Sequence, residues 1–454
     1  MTVLPLMTVS GIRGIVDETL TEHFCERFAR THADVFKART VAIGRDTRPS
    51  GSRLVNACTR GFHAAGARVI DLGVCPTPTV CVATPLTGAD IGVILTASHN
   101  PAPYNGYKMV HASGRLCNGS ECQRVYEQFL EDAGSALAGG IGTADSTFDP
   151  LPAHIDAICR QIDEPAIRAA GLFIAIDAIN GAAAVIVPAL LHRLGVRWTG
   201  VHTDPSGNFA HDPEPRPEHL KELSSLAAKS EGLWGGFAFD PDADRLAPMG
   251  ERGEALSEEF TLALALDALF PRTGGPAAVN LSTSMLVDDV ARAHKTSIVR
   301  SCIGEANVVA AMQASGCPVG GEGNGGVIYP AISTVRDGPA ALAVILGHMA
   351  ASGKRLTQLT SMWPSYSIIK IKIPLRDNHS SQVMVALRSR FSNERTDTLD
   401  GLKIVRDYGW VHLRASNTEP ILRCYAEAAT RQQAQELATM ITGHLETIVP
   451  PGSV

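Results

Sequence analysis

The sequence predicts three similar mixed α/β domains followed by a smaller C-terminal α+β domain. A length of 454 residues exceeds what one hydrophobic core usually organises. Along it, an apolar strand, a polar or glycine-containing turn, an amphipathic helix and a second strand recur three times. The end of the chain abandons this rhythm for adjacent strands with no crossover helix between them.

The first repeat runs from 41-VAIG-44 to 68-RVIDLG-73, the second from 172-LFIAIDAING-181 to 195-GVRWTG-200, and the third from 277-AAVNLS-282 to 296-TSIVRS-301. Continuous apolar strands joined by a helix imply βαβ units in sheets covered on both faces. In the last part, 366-YSIIKIKIPL-375 alternates as a half-buried strand and SQVMVALRSRF reads as helix. Strands follow around 410-WVHLRAS-416 and 421-ILRCYAEA-428, then a helical tail over 431–447. The small-residue stretch 133–150, the polar loop 250-GERGE-254 and 361-SMWPS-365 mark breaks. They divide the chain into 1–150, 151–251, 252–364 and 365–454.

Composition narrows the function classes. Hydrophobic residues make up 45% and aromatic residues only 5%, with 42 glycines and 27 prolines, which suits a globular protein with many tight loops. A net charge of -6 offers no basic surface for nucleic acid or anionic lipid, so an anionic ligand must be met by locally placed cations. The ten cysteines are scattered without a C-x-x-C pair, which implies reduced, mostly buried thiols. No signal-like start or membrane-length apolar run occurs, and the expected location is the cytoplasm.

Four segments carry chemistry. In 96-TASHNPAPYNGYKMV-110 an apolar strand, 91-IGVIL-95, ends in a turn that displays Ser98 as an exposed hydroxyl, with His99 beside it. An Asn-Gly turn at Asn105 and Gly106 is expected to fold Lys108 back toward the serine, where neighbouring positive charge would lower its pKa for acid/base work. An ordinary capped loop is the alternative. In 236-GFAFDPDADRLAPMG-250, Asp240, Asp242 and Asp244 at alternate positions can turn oxygens to one hard cation. A helix-loop-helix calcium site fails there because Arg245 stands where the loop needs glycine and the preceding residues read as strand.

The segment 319-VGGEGNGGVIYP-330 lets the backbone approach a ligand around Gly323, while Glu322 and Asn324 can bond vicinal hydroxyls. A glycine turn between two strands would look the same. In 414-RASNTEPILR-423, Arg414, Ser416, Asn417, Thr418 and Arg423 make a candidate anion cradle, for which a capped β-turn is the alternative.

Together, and in this order, the four segments resemble the active-site loops of the α-D-phosphohexomutase superfamily, which includes phosphoglucomutase, phosphomannomutase and phosphoglucosamine mutase. Thr96 to Pro101 matches its serine loop, Asp240 to Arg245 its metal loop, Gly321 to Gly325 its sugar loop and Arg414 to Pro420 its phosphate loop. The segments 10-SGIRG-14, 44-GRDTR-48 and 76-PTPTV-80 also match. Pro241 departs from the usual glycine, and the G-E-G-N-G-G sugar loop is closest to archaeal-type phosphoglucosamine mutases.

The resemblance implies four domains around one cleft and exchange of a phosphoryl group between Ser98 and a hexose 1- or 6-phosphate through a 1,6-bisphosphate. It also implies Mg2+ held by Asp240, Asp242, Asp244 and a phosphoserine oxygen, with Arg13 and Arg245 adding positive charge, Lys108 moving the proton and His99 in support. Glucosamine phosphate is the preferred substrate, on the ground that Glu305 can attract a sugar amine; Glu305 facing solvent or a helix N-terminus is the alternative. Glucose or mannose specificity, a phosphatase and a non-catalytic sugar-phosphate binder are the competing readings. The partner expected is a small phosphosugar, bound by a monomer or homodimer.

Overall fold

The computed structural model describes residues 4–8, 11–132, 142–374, 380–415 and 421–448. Four sheets follow one another along the chain. The first takes β1 (Leu6–Thr8), β2 (Gly11–Ile15), β3 (Thr40–Arg45), β4 (Arg68–Val74), β5 (Ile91–Leu95), β6 (Tyr104–His111) and β7 (Ser146–Thr147), in the order β1-β2-β6-β5-β3-β4-β7. The second takes β8 (Phe173–Asp177), β9 (Arg197–Val201), β10 (Gly235–Phe239) and β11 (Leu246–Met249), ordered β11-β10-β8-β9. The third takes β12 (Ala277–Asn280), β13 (Ile298–Ser301), β14 (Val319–Glu322) and β15 (Gly326–Ile328), ordered β13-β12-β14-β15.

The three expected strand–helix–strand units are all present as parallel pairs, β3 with β4, β8 with β9 and β12 with β13. Each sheet then repeats one further device. The strands β5, β10 and β14 run parallel to β3, β8 and β12 on one side and antiparallel to the next strand in sequence on the other. The serine, aspartate and glycine segments are the connections at these three parallel-to-antiparallel switches.

The last sheet is antiparallel throughout, from β16 (Ser367–Pro374), β17 (Thr396–Asp397), β18 (Leu402–Arg406), β19 (Gly409–Ala415) and β20 (Ile421–Ala428), ordered β16-β20-β19-β18-β17. The chain is thus three α/β domains and a smaller α+β domain. Strands β17 and β18 were not legible in the sequence. In 402-LKIVR-406 a charged residue interrupts the apolar run, yet Lys403 is buried, its ammonium 4.0 Å from the centre of the Trp410 ring.

One expectation fails in the first sheet. Asn105 and Gly106 do not form a turn: they lie inside β6, opposite Gly14 and Arg13 of β2. A Cβ on Gly106 would stand 2.5 Å from Thr96 O and 2.6 Å from Ile12 O, so this glycine serves close approach of neighbouring strands. The reversal occurs earlier, between β5 and β6, and sets Lys108 opposite Ile94.

Packing divides the molecule unevenly. The helix Gly338–Ser352 is apolar around most of its surface and packs on Glu259–Thr273 of the third domain and on Glu164–Ala169 and Ala183–Leu194 of the second, so those domains share one core. The fourth domain keeps a core of its own, and the first has one on one face of its sheet while the other face packs a smaller cluster that takes in Val335 of the third. Polar contacts join the fourth to the third: Lys403 Nζ donates to Leu281 O at 2.7 Å, Ser282 Oγ meets His412 Nδ1 at 2.7 Å, and Asp400 accepts Ile303 N at 2.8 Å. Glu427 accepts from Ser284 Oγ and from Met285 N. Burial holds the His412 imidazole down to about 4 from its usual 6.5, so separating the domains takes up a proton. Stability of the contact is therefore full above pH 6.5 and is lost as pH falls toward 4, by at most about 3 kcal/mol. Hydrogen exchange across β18–β20 should accelerate in that window, and His412→Gln should flatten the pH dependence.

Candidate active site

Ser98 sits at the end of β5 with φ +51°, a left-handed conformation that costs an L-residue about 1–2 kcal/mol. The surrounding bonds hold it there. Thr96 Oγ1 accepts Ser98 N at 2.9 Å and donates to Asp46 at 2.6 Å. Arg48, wholly buried, commits all five of its N–H groups: Nε to Asp46 at 3.0 Å, Nη1 to the carbonyls of Pro101 and Tyr104 at 2.8 Å, and Nη2 to those of Ser98 at 2.8 Å and Asn100 at 2.6 Å. The serine is not the exposed hydroxyl expected; it is fully buried, because the β10–β11 connection of the second domain closes over it. Its Oγ donates to Asp240 Oδ2 at 3.2 Å, with His99 Nδ1 at 3.4 Å.

The aspartate segment runs strand–turn–strand, which excludes the helix-loop-helix alternative. Asp240, Asp242 and Asp244 are all fully buried, and one carboxylate oxygen from each lies within 4.8 Å of the others. Asp242 Oδ2 accepts from Lys108 Nζ and Thr77 Oγ1, both at 2.6 Å, and its carbonyl accepts Thr77 N at 3.0 Å. That fixes the meaning of 76-PTPTV-80: Pro76 and Thr77 open the helix Thr77–Leu86 and anchor the second domain's loop to the first. Asp244 Oδ2 accepts from Arg336 Nη2 at 2.6 Å, while Arg245 Nε lies 3.5 Å from Asp244 and 3.8 Å from Asp240.

The cluster is strongly polarised. Burial, with Asp244 and Asp242 beside it, pushes the Asp240 carboxyl well up. Burial acts the same way on Asp244, but Arg336, Lys108 and Arg245 together hold it below the usual carboxylate range. Burial alone would lower Lys108; Asp242 and Asp244 outweigh it and raise the ammonium above its ordinary value. The expected lowering of Lys108 by positive neighbours is therefore corrected, since its nearest neighbours are carboxylates. Burial, Arg245 and Arg13 hold His99 far below its usual value, as a neutral ring. Arg13 itself, lowered to about 10 by burial and by Arg245, donates to Asn100 Oδ1 at 2.8 Å.

The third domain brings Glu322 to the same pocket. Its Oε1 accepts Asn280 Nδ2 at 2.8 Å and Gly304 N at 3.1 Å, and its Oε2 accepts Arg336 Nη1 at 2.7 Å. The segment is a turn between β14 and β15, and Arg336 ties its Glu322 to the aspartate cluster. Gly323 N donates to Thr283 Oγ1 at 3.1 Å, and Asn324 Oδ1 is buried without a hydrogen-bond partner. Glu305 opens the helix Glu305–Ser315 and is buried. Its carboxylate accepts Arg336 N at 2.5 Å, so its partner is Arg336 at a helix N-terminus and it does not face solvent. Arg414 on β19 stands directly opposite Arg423 on β20, and Arg414 Nε is buried without a hydrogen-bond partner among the described residues. Ser416, Asn417 and Thr418 lie outside the described residues.

Comparison with known proteins agrees at every domain. Family models for phosphoglucomutase/phosphomannomutase match domain I at 6–134, domain II at 152–253, domain III at 257–366 and the C-terminal domain at 371–444. The chain belongs to this family. It is 36% identical to a phosphoglucomutase/phosphomannomutase of Thermococcus kodakarensis, over 94% of this chain and 95% of that one. It is 35% identical to the probable phosphoglucosamine mutase of Methanopyrus kandleri, with the same coverage. A solved phosphoglucomutase/phosphomannomutase family protein from Burkholderia thailandensis superposes with a TM-score of 0.85 at 25% identity, over 99% of this chain and 98% of that one.

Sequence reasoning missed the residue that joins the family's metal and sugar loops here. Arg336 bonds Asp244 and Glu322 with its guanidinium and lies 3.4 Å from Glu305. A faint signal existed: 336-RDGP-339 has Asp337 as N-cap of a buried helix, which plants the preceding arginine beside a helix start. Two substitutions test the supports. Arg48→Met takes the counter-charge from buried Asp46 and the donors from four carbonyls, and the unfolding free energy measured in urea should fall by about 3–5 kcal/mol. Arg48→Lys should fall less, yet still well short of the parent, because an ammonium cannot reach five acceptors.

Proposed function

We propose that the chain interconverts hexose 6-phosphates and hexose 1-phosphates by carrying the phosphoryl group on Ser98, with a hexose 1,6-bisphosphate as intermediate and activator. The observation that carries this reading is the Ser98 hydroxyl at 3.2 Å from Asp240, in one buried pocket with Lys108 and the other two aspartates. A serine in a separate cavity from the acidic cluster would have been incompatible with it.

Asp240, Asp242 and Asp244 would hold Mg2+, with an oxygen of the seryl phosphate as a further ligand. The donors suit a hard cation: all are carboxylate oxygens, and Asp242 Oδ1 and Asp244 Oδ1 are buried with no hydrogen-bond partner among the described residues. When bound, the ion neutralises charge on the group being transferred.

In the first half-reaction the seryl O–P bond breaks and a P–O bond to the free sugar hydroxyl forms. Lys108 begins as an ammonium, gives a proton to the departing Ser98 Oγ and takes the one the attacking hydroxyl loses. The bisphosphate then turns and the second half-reaction runs in reverse with its other phosphate. Arg245 and Arg13 offset negative charge, and His99 is a neutral hydrogen-bonding neighbour of Oγ.

Glu322 and Asn324 are assigned to the sugar hydroxyls, alongside the Gly323 backbone. A carboxylate offers about four lone pairs, and three of those on Glu322 are taken, which leaves room for one hydroxyl on Oε2. The unpartnered Asn324 Oδ1 is a second acceptor. Arg414 and Arg423 are assigned to the non-reacting phosphate together with Ser416, Asn417 and Thr418. Directly opposite positions on paired strands put the two guanidinium groups on one face of the sheet, and Arg414 Nε is buried without a hydrogen-bond partner among the described residues.

Glucosamine phosphate remains the first substrate. The support is the sugar-loop sequence and the relatives named phosphoglucosamine mutases; recognition of the amine by Glu305 is withdrawn, since Arg336 occupies that carboxylate. The division at 1–150, 151–251, 252–364 and 365–454 is supported by the limits of the four family matches. Among the described residues no helix is long and apolar enough to cross a membrane. Ten free cysteines, nine of them buried, support a reducing, cytoplasmic setting.

The deciding experiment is a panel of glucosamine, glucose, mannose and N-acetylglucosamine 6-phosphates with Mg2+ and trace bisphosphate. Ser98→Ala should lower turnover by about four to six orders of magnitude, and undiminished product would sink the nucleophile assignment. Chelating the metal, or Asp242→Ala, should cost about 10³ in kcat, several kcal/mol of barrier, with restoration by Mg2+ only in the parent. A cross-link between positions 282 and 412 should trap the bisphosphate and stop turnover after a half-reaction, if the fourth domain swings to let it turn.

A further inference from the structure

A second cluster of ligating side chains lies at the end of β8, apart from the aspartate triad. Buried Asp177 accepts Ile179 N at 2.9 Å on Oδ1, which also faces His202 Nδ1 at 3.1 Å; its Oδ2 faces His211 Nε2 at 3.1 Å. The outer nitrogen of each ring meets another acceptor. His202 Nε2 lies 2.9 Å from Glu222 Oε2, and His211 Nδ1 lies 2.8 Å from the Asp212 carbonyl. One ligating atom from each of Asp177, His202 and His211 falls within 4.8 Å of the others.

A neutral imidazole carries one N–H and one lone pair. Both rings here have acceptors at both ends, so hydrogen bonding alone needs two imidazolium ions whose centroids are 5.5 Å apart. With the outer N–H groups donating to Glu222 and Asp212, two inner lone pairs instead point at a carboxylate, an arrangement that a cation between them makes favourable. The contrast is Asp267. It too is flanked by two histidines, His294 Nε2 at 2.7 Å and His348 Nε2 at 3.0 Å, but neither Nδ1 has an acceptor among the described residues. Two neutral rings satisfy that site.

We propose that Asp177, His202 and His211 form a second metal site, selective for a borderline divalent ion of the Zn2+ type. Two imidazole nitrogens and one carboxylate oxygen are the donor set such an ion prefers over Mg2+, and outer hydrogen bonds to a carboxylate and a carbonyl are what orient ligating histidines. With side chains 11% and 14% exposed, His202 and His211 leave an edge through which water completes the shell.

The site reaches the chemistry through the loop it ties down. Between the two histidines, Gly207 N donates to Asn180 O at 3.0 Å, and the same carbonyl accepts Thr47 Oγ1 of the first domain at 2.9 Å. The Phe209 ring stacks 4.9 Å from the Arg48 guanidinium, which holds the Ser98 loop. Ligation would fix this loop against Arg48 and act as a structural clamp on the junction of the first two domains.

The test uses the full chain, freed of metal by a chelator and then kept in millimolar Mg2+ while Co2+ is titrated as a spectroscopic stand-in. The parent and Asp242→Ala should both develop the intense visible absorption of tetrahedral cobalt, and His211→Gln should lose it, with affinity weakened at least about 10-fold. No such absorption in the parent, or absorption kept by His211→Gln and lost by Asp242→Ala, overturns the proposal. Nitrogen-15 spectra of the parent's imidazoles guard against a misfolded variant. One N–H per ring with the inner nitrogens shifted by Zn2+ supports the site; two protons per ring that Zn2+ fails to displace overturns it.

Discussion

Arg48 is the constraint on which the serine depends. A guanidinium has five N–H groups, and each of those on Arg48 meets an acceptor within 3.0 Å, four of them carbonyls between Ser98 and Tyr104. A loop carrying that many inward carbonyls would be unstable in a dry interior without such a donor. The arginine therefore specifies the loop's path, and the path fixes Ser98 with φ +51° and its hydroxyl toward the second domain. Asp46 completes the unit by neutralising Arg48 and anchoring Thr96, which in turn holds Ser98 N.

The other site loops share a topological origin with this one. Each α/β sheet switches from parallel to antiparallel pairing immediately after its central strand, and the connection at the switch is a hairpin too short to contain a helix. Its residues cannot retreat into a sheet or a core, so they face out of the sheet edge toward the other domains. Three sheets doing this bring their loops to one pocket, where Ser98 meets Asp240, Lys108 meets Asp242 and Arg336 meets both Asp244 and Glu322. Thr77 to Asp242 and Arg336 to Asp244 show that the loops also fasten the domains to one another. The shared core of the second and third domains makes that fastening rigid there, whereas the fourth keeps its own core and is tied on by polar contacts such as Lys403 to Leu281 and Ser282 to His412.

Much of this was legible in the residues. The three βαβ units stood out because their strands are uniformly apolar, and the aspartates because three carboxylates at alternate positions next to a buried strand have few other uses. The hairpin strands were harder. Leu246–Met249 and Gly326–Ile328 are four and three residues long, too short for periodicity to register. Asn105-Gly106 imitated a turn because sequence cannot distinguish a glycine needed for close approach from one needed for reversal. Arg336 was invisible as a site residue for a different reason: its partners Glu322, Glu305 and Asp244 stand 14, 31 and 92 residues away, and nothing local to 336-RDGP-339 says which carboxylates will arrive. The segment 44-GRDTR-48 stood out as a match, but that Arg48 would hold four carbonyls about 50 residues on did not.

The electrostatics of the pocket explain why so many charges tolerate burial together. Five carboxylates, Asp240, Asp242, Asp244, Glu305 and Glu322, meet four cations, Arg13, Lys108, Arg245 and Arg336, and burial pushes Asp240 and Glu305 toward the neutral form. The set is thus close to neutral before any ligand binds. A phosphoseryl group brings about two negative charges and a divalent cation two positive, so the pair enters without disturbing that balance, whereas either alone would have to be compensated in a low-dielectric interior. Arg336 is the element that keeps the arrangement general, because it engages the metal-loop carboxylate Asp244 and the sugar-loop carboxylate Glu322 at once. Any movement of the sugar loop to admit a hydroxyl at Glu322 must pull on the same guanidinium that steadies Asp244. In the proposed reading, a hydroxyl taken up at Glu322 would therefore act on the pair Arg336–Asp244 beside Ser98 through one buried side chain.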